Sequence, residues 1–170
     1  MGSYSSSNRS NNTGVPQGSV LGPILLSLYT SPINSVVSQH SVHQQQYADD
    51  TQLFISITPT NYPANIHKLQ SCFSALQGWF LHNGLALNPD KTEAICFGTL
   101  GRRKSLAHLT SLQLSGVSVQ LSDHIKLLGV TLDNALNFDS HVSKFVNPHI
   151  ITFGLFGVSV LLWTPKPPKQ

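Results

Sequence analysis

Asp49 and Asp50 stand side by side after Tyr47-Ala48, between two runs of β-forming character, Gln44–Ala48 and Thr51–Thr58. Adjacent carboxylates on a tight turn repel one another, and a cationic group beside them relieves that cost. A divalent ion of the Mg²⁺ type suits the position, because it prefers hard oxygen ligands and takes one or two protein carboxylates together with water and substrate phosphates. Two such ions held together activate an attacking oxygen and stabilise a leaving one in phosphoryl transfer. The plain alternative is a turn, since Asp is a favoured turn residue, and on these four residues alone that reading leads. The other chemistry-bearing residues are scattered. Eight histidines occur singly, and His40 and His43 have no nearby Cys, Asp or Glu to complete a zinc site. Cys72 and Cys96 lie in no metal-ligand spacing, and two cysteines do not make a disulfide scaffold. Arg102, Arg103, Lys104 and Lys126 could touch phosphates, although a solvated loop is the better reading of Arg102–Lys104.

The elements that must position the carboxylates can be read from spacing. The runs flanking Asp49-Asp50 predict a β-hairpin with both carboxylates at its turn. Apolar residues from Val20 to Val37 recur near a helical period, with Ser19 as the cap and Pro32 as a kink or break. Ile66, Leu69, Phe73, Leu76 and Phe80 give the clearest helix, over residues 65–83, closed by Gly84. Glu93–Phe97 reads as a short strand. Leu112–Leu121 reads as a hairpin around a glycine turn, and Ile125–Leu132 as a strand or strand pair broken at Gly129. The order predicts an α+β fold, a small antiparallel sheet with helices packed on one face.

Composition narrows the class. The chain has 170 residues, 40% of them apolar, which excludes wholesale disorder, while only 10% are charged. A net charge of +3 and a pI near 9.0 are compatible with a nucleic-acid partner. No charged side chain occurs from Ser10 to Ala48 or from Phe145 to Pro165. An uncharged stretch of that length is normally buried between layers, so the first is expected to be covered by neighbouring segments. Residues 1–13 read as a flexible polar lead-in. Residues 147–170, apolar and then Pro-rich, read as a divergent tail outside the core. The N-terminus has no secretory pattern. The apolar run Ile150–Trp163 is shorter than the roughly 17 to 25 residues of a membrane-spanning helix. An intracellular location, cytoplasm or nucleus, is expected, with no membrane partner.

The sequence resembles the reverse transcriptases of non-LTR (LINE-type) retrotransposons. Gly14-Val-Pro-Gln-Gly-Ser-Val-Leu-Gly-Pro23 is similar to that family's motif B loop and helix start, and Tyr47-Ala-Asp-Asp-Thr-Gln-Leu53 to motif C, the catalytic palm hairpin. Trp79, Asn83 and Gly84-Leu-Ala-Leu-Asn-Pro-Asp-Lys-Thr-Glu93 resemble motif D with its preceding helix. Ile125-Lys-Leu-Leu-Gly-Val-Thr-Leu-Asp133 resembles motif E, the primer grip. The four motifs stand in the family's order and span residues 14–146 as a partial polymerase palm. The resemblance implies RNA-directed DNA synthesis with Mg²⁺ or Mn²⁺, an RNA template, a DNA primer and deoxynucleoside triphosphates. It casts Asp49 and Asp50 as catalytic and metal-binding, and Tyr47 as packing near the primer terminus. Gly14, Pro16, Gln17 and Gly18 become the loop beside template and nucleotide, and Leu128 and Gly129 the primer grip. Lys91 matches the motif D lysine that meets the charge of departing pyrophosphate; a solvated turn lysine is the equal alternative.

The chain also departs from the pattern. The family's first catalytic aspartate lies in motif A, upstream of the GVPQG loop, and residues 1–13 contain no acid. Metal binding is therefore expected to be weak, and the chain by itself inactive. The alternatives are a passive nucleic-acid-binding module and a pseudogene product with no function.

Overall fold

The structure is a computed structural model that describes residues 19–88, 91–138 and 158–163. The chain divides into two compact units, Met1–Ser31 and Pro32–Gln170. In the first, α1 (Gly22–Thr30) begins with Pro23 in its first turn, where a missing N–H costs nothing. Its cap position is Leu21, without a side-chain cap bond. Ser19 is thus not the cap that the sequence suggested; the proline sets the start. Ile24, Leu25, Leu28 and Tyr29 of the helix are exposed, as are Val20 and Leu21 before it. It does not continue to Val37, because Pro32 interrupts the ladder and helical structure resumes as α2 (Ile33–Ser38) in the second unit.

The second unit is built on a six-stranded sheet. Its strands are β1 (His43–Tyr47), β2 (Asp50–Ser56), β3 (Glu93–Phe97), β4 (Ser111–Leu114), β5 (Val117–Ser122) and β8 (Val158–Trp163), in the order β1-β2-β8-β3-β5-β4. A separate ribbon pairs β6 (His124–Leu127) with β7 (Val130–Asp133). Hairpins β1–β2 and β4–β5 are antiparallel, whereas β2–β8, β8–β3 and β3–β5 are parallel. The sheet is therefore mixed, not antiparallel as the sequence suggested. The reason is the crossover: α3 (Tyr62–His82) carries the chain from β2 to β3 and returns it in the same direction.

The largest difference from the sequence reading lies at residues 158–163. They do not sit apart from the core but form β8, between β2 and β3. Val160 and Leu162 are fully buried in the main core, and Leu161 packs with a second cluster on the other face. A strand with apolar contacts on both faces carries apolar residues in succession, as Val160-Leu161-Leu162 do.

One face of the sheet carries α2 and α3. Leu69, Phe73, Leu76 and Phe80 of α3 pack with Ile33 and Val37 of α2 and with Leu53, Ile55 and Ala94 of the sheet. Each of these side chains except that of Ala94 contributes about 1.5–3 kcal/mol on burial. α3 ends as predicted: Gly84 takes φ +66, Leu85 N–H donates to the Phe80 carbonyl at 2.8 Å, and Gly84 N–H to that of Leu81 at 3.1 Å. This is the double bond of a Schellman cap, and its left-handed position favours glycine. The opposite face is smaller. There Ile95, Phe97 and Leu161 meet Ile125, Leu127 and Leu132 of the β6–β7 ribbon. Arg102, Arg103 and Lys104 belong to a short helix, α4 (Leu100–Ser105), not to a loop. None of its residues is buried, so no apolar stripe marked it in the sequence.

Candidate active site

Tyr47 and Asp50 are register partners at the end of the β1–β2 ladder, leaving Ala48-Asp49 as a two-residue connection. Such tight hairpins need a positive φ at the first connecting residue to match the strand twist. Ala48 supplies it with φ 53, a left-handed conformation that costs a residue bearing a Cβ about 1–2 kcal/mol. The Gln46 side-chain amide donates to the Ala48 carbonyl at 3.4 Å. The tip thus carries both carboxylates, Asp49 in the turn and Asp50 as the first residue of β2, each half-buried. Tyr47 is 63% exposed, so its ring lines the same tip without joining the core.

The electrostatics of the tip are uneven. The Asp50 carboxyl is pushed above the ordinary range first by burial and then by the charge of Asp49, while Lys91 pulls it back. Lys91 therefore acts on Asp50 across the fold. The α3 crossover explains how: it places the segment before β3 at the end of the sheet where β2 begins. Lys91 N–H donates to the Asn88 carbonyl at 3.2 Å, and Thr92 Oγ1 to the same carbonyl at 3.4 Å.

A further acid at this end was passed over in the sequence. Glu93 opens β3 and shares with Gln52 the β8 neighbour Ser159, which puts it two strands from β2. Alternation sets Asp50 and Glu93 on the face away from α3. Burial pushes the Glu93 carboxyl up, and a hydrogen bond from the Lys126 backbone pulls it down. No sequence pattern links Glu93 to Asp50; only the strand order does. Among the described residues no three side chains of His, Cys, Asp or Glu converge as a metal set.

Leu128 and Gly129 form the two-residue turn between β6 and β7, with φ 48 and φ 83. Two successive positive φ values are what a type I′ hairpin requires. Glycine suits its position, whereas Leu128 is held there with its side chain 54% exposed. Gly14, Pro16, Gln17 and Gly18 lie outside the described residues.

Comparison with known proteins matches the profile of the reverse transcriptase (RNA-dependent DNA polymerase) family to residues 2–132. The chain belongs to the reverse transcriptase family. Its relatives include the probable RNA-directed DNA polymerase from transposon BS of Drosophila melanogaster, 37% identical over 76% of this chain. The RNA-directed DNA polymerase from mobile element jockey of the same organism is 30% identical over 83% of it. The probable RNA-directed DNA polymerase from transposon X-element is 31% identical over 76%. The resemblance to non-LTR retrotransposon reverse transcriptases therefore holds. The alignments cover 14 to 15% of the length of these relatives. No solved structure matches the chain. Among its described residues no helix is long and apolar enough to cross a membrane.

Proposed function

We propose that residues 14–146 are part of the palm of a retrotransposon RNA-directed DNA polymerase and carry its Asp49–Asp50 hairpin, which serves template-directed nucleotidyl transfer. The observation that supports this most is the pairing of two carboxylates on one tight turn with a lysine whose charge reaches Asp50. The donor set fits a hard divalent cation, Mg²⁺ or Mn²⁺. It consists of carboxylate oxygens alone, and a cation would favour the ionised form of Asp50, which burial and then the charge of Asp49 disfavour. Asp49 and Asp50 would hold the ion, which when bound supplies charge stabilisation to the reacting phosphate.

The chain's own groups would do the rest. Lys91 neutralises charge on departing pyrophosphate, a role suited to a fixed cation near developing negative charge. Tyr47 offers an exposed ring for the primer terminus. Gly14, Pro16, Gln17 and Gly18 line the template and the deoxynucleoside triphosphate. Leu128 and Gly129 grip the primer strand.

By itself the chain is proposed to be inactive. Two-metal transfer needs carboxylates that hold both ions at once, and the sequence before Gly14 offers none. The test is extension of a DNA primer on an RNA template with Mg²⁺ and four deoxynucleoside triphosphates. No extension is expected from the chain. Extension that disappears with Asp49→Ala would mean that a further ligand completes the site, and would overturn the inactivity.

A further inference from the structure

A cavity of about 290 Å³ opens between α4, β5 and Asn134, the residue that follows β7. None of its lining residues belongs to the Asp49–Asp50 hairpin. Ligand sites commonly run from about 300 Å³ upward, so this one has room for a single compact ligand. Backbone bonds hold its walls. Asn134 N–H donates to the Asp123 carbonyl at 3.0 Å, and Gly98 N–H to the Asn134 carbonyl at 3.1 Å. Leu121 N–H donates to the Thr110 carbonyl at 2.8 Å, which ties β5 to the segment leaving α4. The cavity is therefore formed before any ligand arrives.

Two charged side chains line it, Arg103 and Asp123, and no ion pair joins them among the described residues. Arg103 Nε donates to the Gly98 carbonyl at 3.1 Å, which fixes the guanidinium and leaves its terminal N–H groups for a ligand. Asn134 Nδ2 donates to Asp123 Oδ1 at 2.6 Å, which orients the carboxylate. A carboxylate accepts at about four positions, so most of its capacity remains. Leu106, Leu109 and Leu121 supply apolar surface. A matching ligand brings an anionic group to Arg103, N–H donors to Asp123 and a compact body with apolar faces.

A nucleotide has all three in its phosphate, its base edge and its ring. Among the four RNA bases, guanine alone sets two N–H donors side by side, N1–H and N2–H, matching the two oxygens of a carboxylate. Adenine and cytosine set an acceptor nitrogen beside their amino group, which a carboxylate repels, and uracil has one N–H between two carbonyls. Arg102 and Lys104 flank Arg103 on α4 and add positive charge that favours a phosphate.

We propose that the cavity between α4 and β5 is a guanine-nucleotide site, with Arg103 on the phosphate and Asp123 on the base edge. It is separate from the carboxylate hairpin and needs no metal. Free guanosine monophosphate and an unpaired guanosine in single-stranded RNA present the same groups to it.

Cys96 lines the same cavity and is half-buried, so its thiol reports occupancy. Burial pushes that thiol up, and the charge of Arg103 pulls it back. A phosphate on Arg103 cancels the pull, and the ligand blocks access; both slow alkylation.

The test treats the full chain with iodoacetamide and follows Cys96 by peptide mass. Cys72, buried in the core, reports unfolding in the same samples. Guanosine monophosphate is expected to slow Cys96 alkylation by a factor of about three or more. Adenosine, cytidine and uridine monophosphates at the same concentration are expected to leave it unchanged. Each variant is compared with its own rate without nucleotide. Asp123→Asn keeps an oxygen for Asn134 but turns one acceptor into a donor, and is expected to abolish the slowing, as is Arg103→Gln. Inosine monophosphate, which lacks the 2-amino group, repeats the Asp123 test without altering the protein and is expected to act more weakly. Uridine-rich single-stranded RNA with one guanosine distinguishes the two sources. Slowing at a lower concentration than the free nucleotide needs supports the site with RNA as its source, and slowing by the free nucleotide alone supports it with the small molecule. Equal slowing by all four nucleotides, none by guanosine monophosphate, equal effects of inosine and guanosine monophosphates, or slowing that survives Asp123→Asn overturns the proposal.

Discussion

Lys91 and Asp50 belong to different elements, yet the charge of Lys91 lowers the Asp50 pKa against burial and Asp49, which together keep it raised. Burial at the tip of the β1–β2 hairpin therefore disfavours the ionised Asp50, and Asp49 beside it adds to that cost. Lys91 offsets part of it.

The first prediction follows from the sign of this shift. A carboxyl whose folded pKa is raised destabilises the fold while ionised, and the penalty fades as pH falls through that pKa toward the unfolded value near 3.9. Asp50→Asn is expected to raise Tm at pH 7. Partly solvated charge interactions are worth about 0.2–1 kcal/mol, so the rise is up to about 4 °C. The gain should shrink steadily below pH 5. Thermal scans across pH 4 to 8 check it; an equal gain at every pH would show that Asp50 does not titrate with folding.

The second concerns metal. Two carboxylates with water completing the shell give weak binding, on the order of a millimolar dissociation constant or weaker. Mn²⁺ is expected to broaden the backbone amide resonances of Ala48–Thr51 before others, and a chelator to restore them. Asp49→Asn should weaken the effect severalfold. Mg²⁺ should also lower the Asp50 pKa, because a cation favours the ionised form. Broadening centred on another part of the chain would show that the ion binds elsewhere.

The features legible in the sequence were local ones. The β1–β2 hairpin could be read from the two β-forming runs around Asp49-Asp50, and the α3 stripe through Phe73 and Phe80 carried its own period up to Gly84. What could not be read depended on distant pairing. Val160, Leu161 and Leu162 of β8 follow one another without polar alternation because both faces make apolar contacts, so the segment read as a divergent tail outside the core. The mixed sheet follows from that insertion and from the α3 crossover, neither visible within a short window. α4 escaped because a solvated helix of six residues buries nothing. The reach of Lys91 to Asp50, and the position of Glu93 two strands away, likewise exist only once the strand order is known.

The third prediction uses the β6–β7 turn. Leu128 holds φ 48 with an exposed side chain, so it bears left-handed strain without a matching packing gain. Asn tolerates that conformation far better. Leu128→Asn is expected to stabilise the chain by about 0.5–1 kcal/mol, a Tm rise of about 1–4 °C. If Leu128 grips a primer strand as proposed, the same substitution should weaken primer–template binding at fixed salt. Stabilisation with unchanged binding would remove Leu128 from the nucleic-acid contact.

The fourth prediction rests on Asp133, the last residue of β7. Its Oδ1 accepts N–H bonds from Ala135 at 2.9 Å and Asn137 at 3.0 Å, and its Oδ2 accepts from Phe138 at 2.8 Å. These bonds organise a segment in which Leu136 and Phe138 both hold positive φ, a conformation that neither residue favours alone. The bond from Asn137 leads in holding the Asp133 pKa below the ordinary range, joined by those from Ala135 and Phe138 and by the charge of His124, while burial opposes them. A depressed folded pKa adds stability that is fully present above the unfolded value near 3.9 and is lost as pH falls through the folded one. Asp133→Ala removes both acceptor oxygens and all three bonds, and is expected to lower Tm at pH 7 by on the order of 5 °C. Asp133→Asn, which keeps one acceptor oxygen, should lose less. The gap between the unaltered chain and Asp133→Ala should stay constant above about pH 5 and narrow below pH 4 as the carboxylate is neutralised. Thermal unfolding from pH 2.5 to 7 measures that gap. A gap that is unchanged at the acid end would mean that Asp133 acts through its shape and not through its charged oxygens.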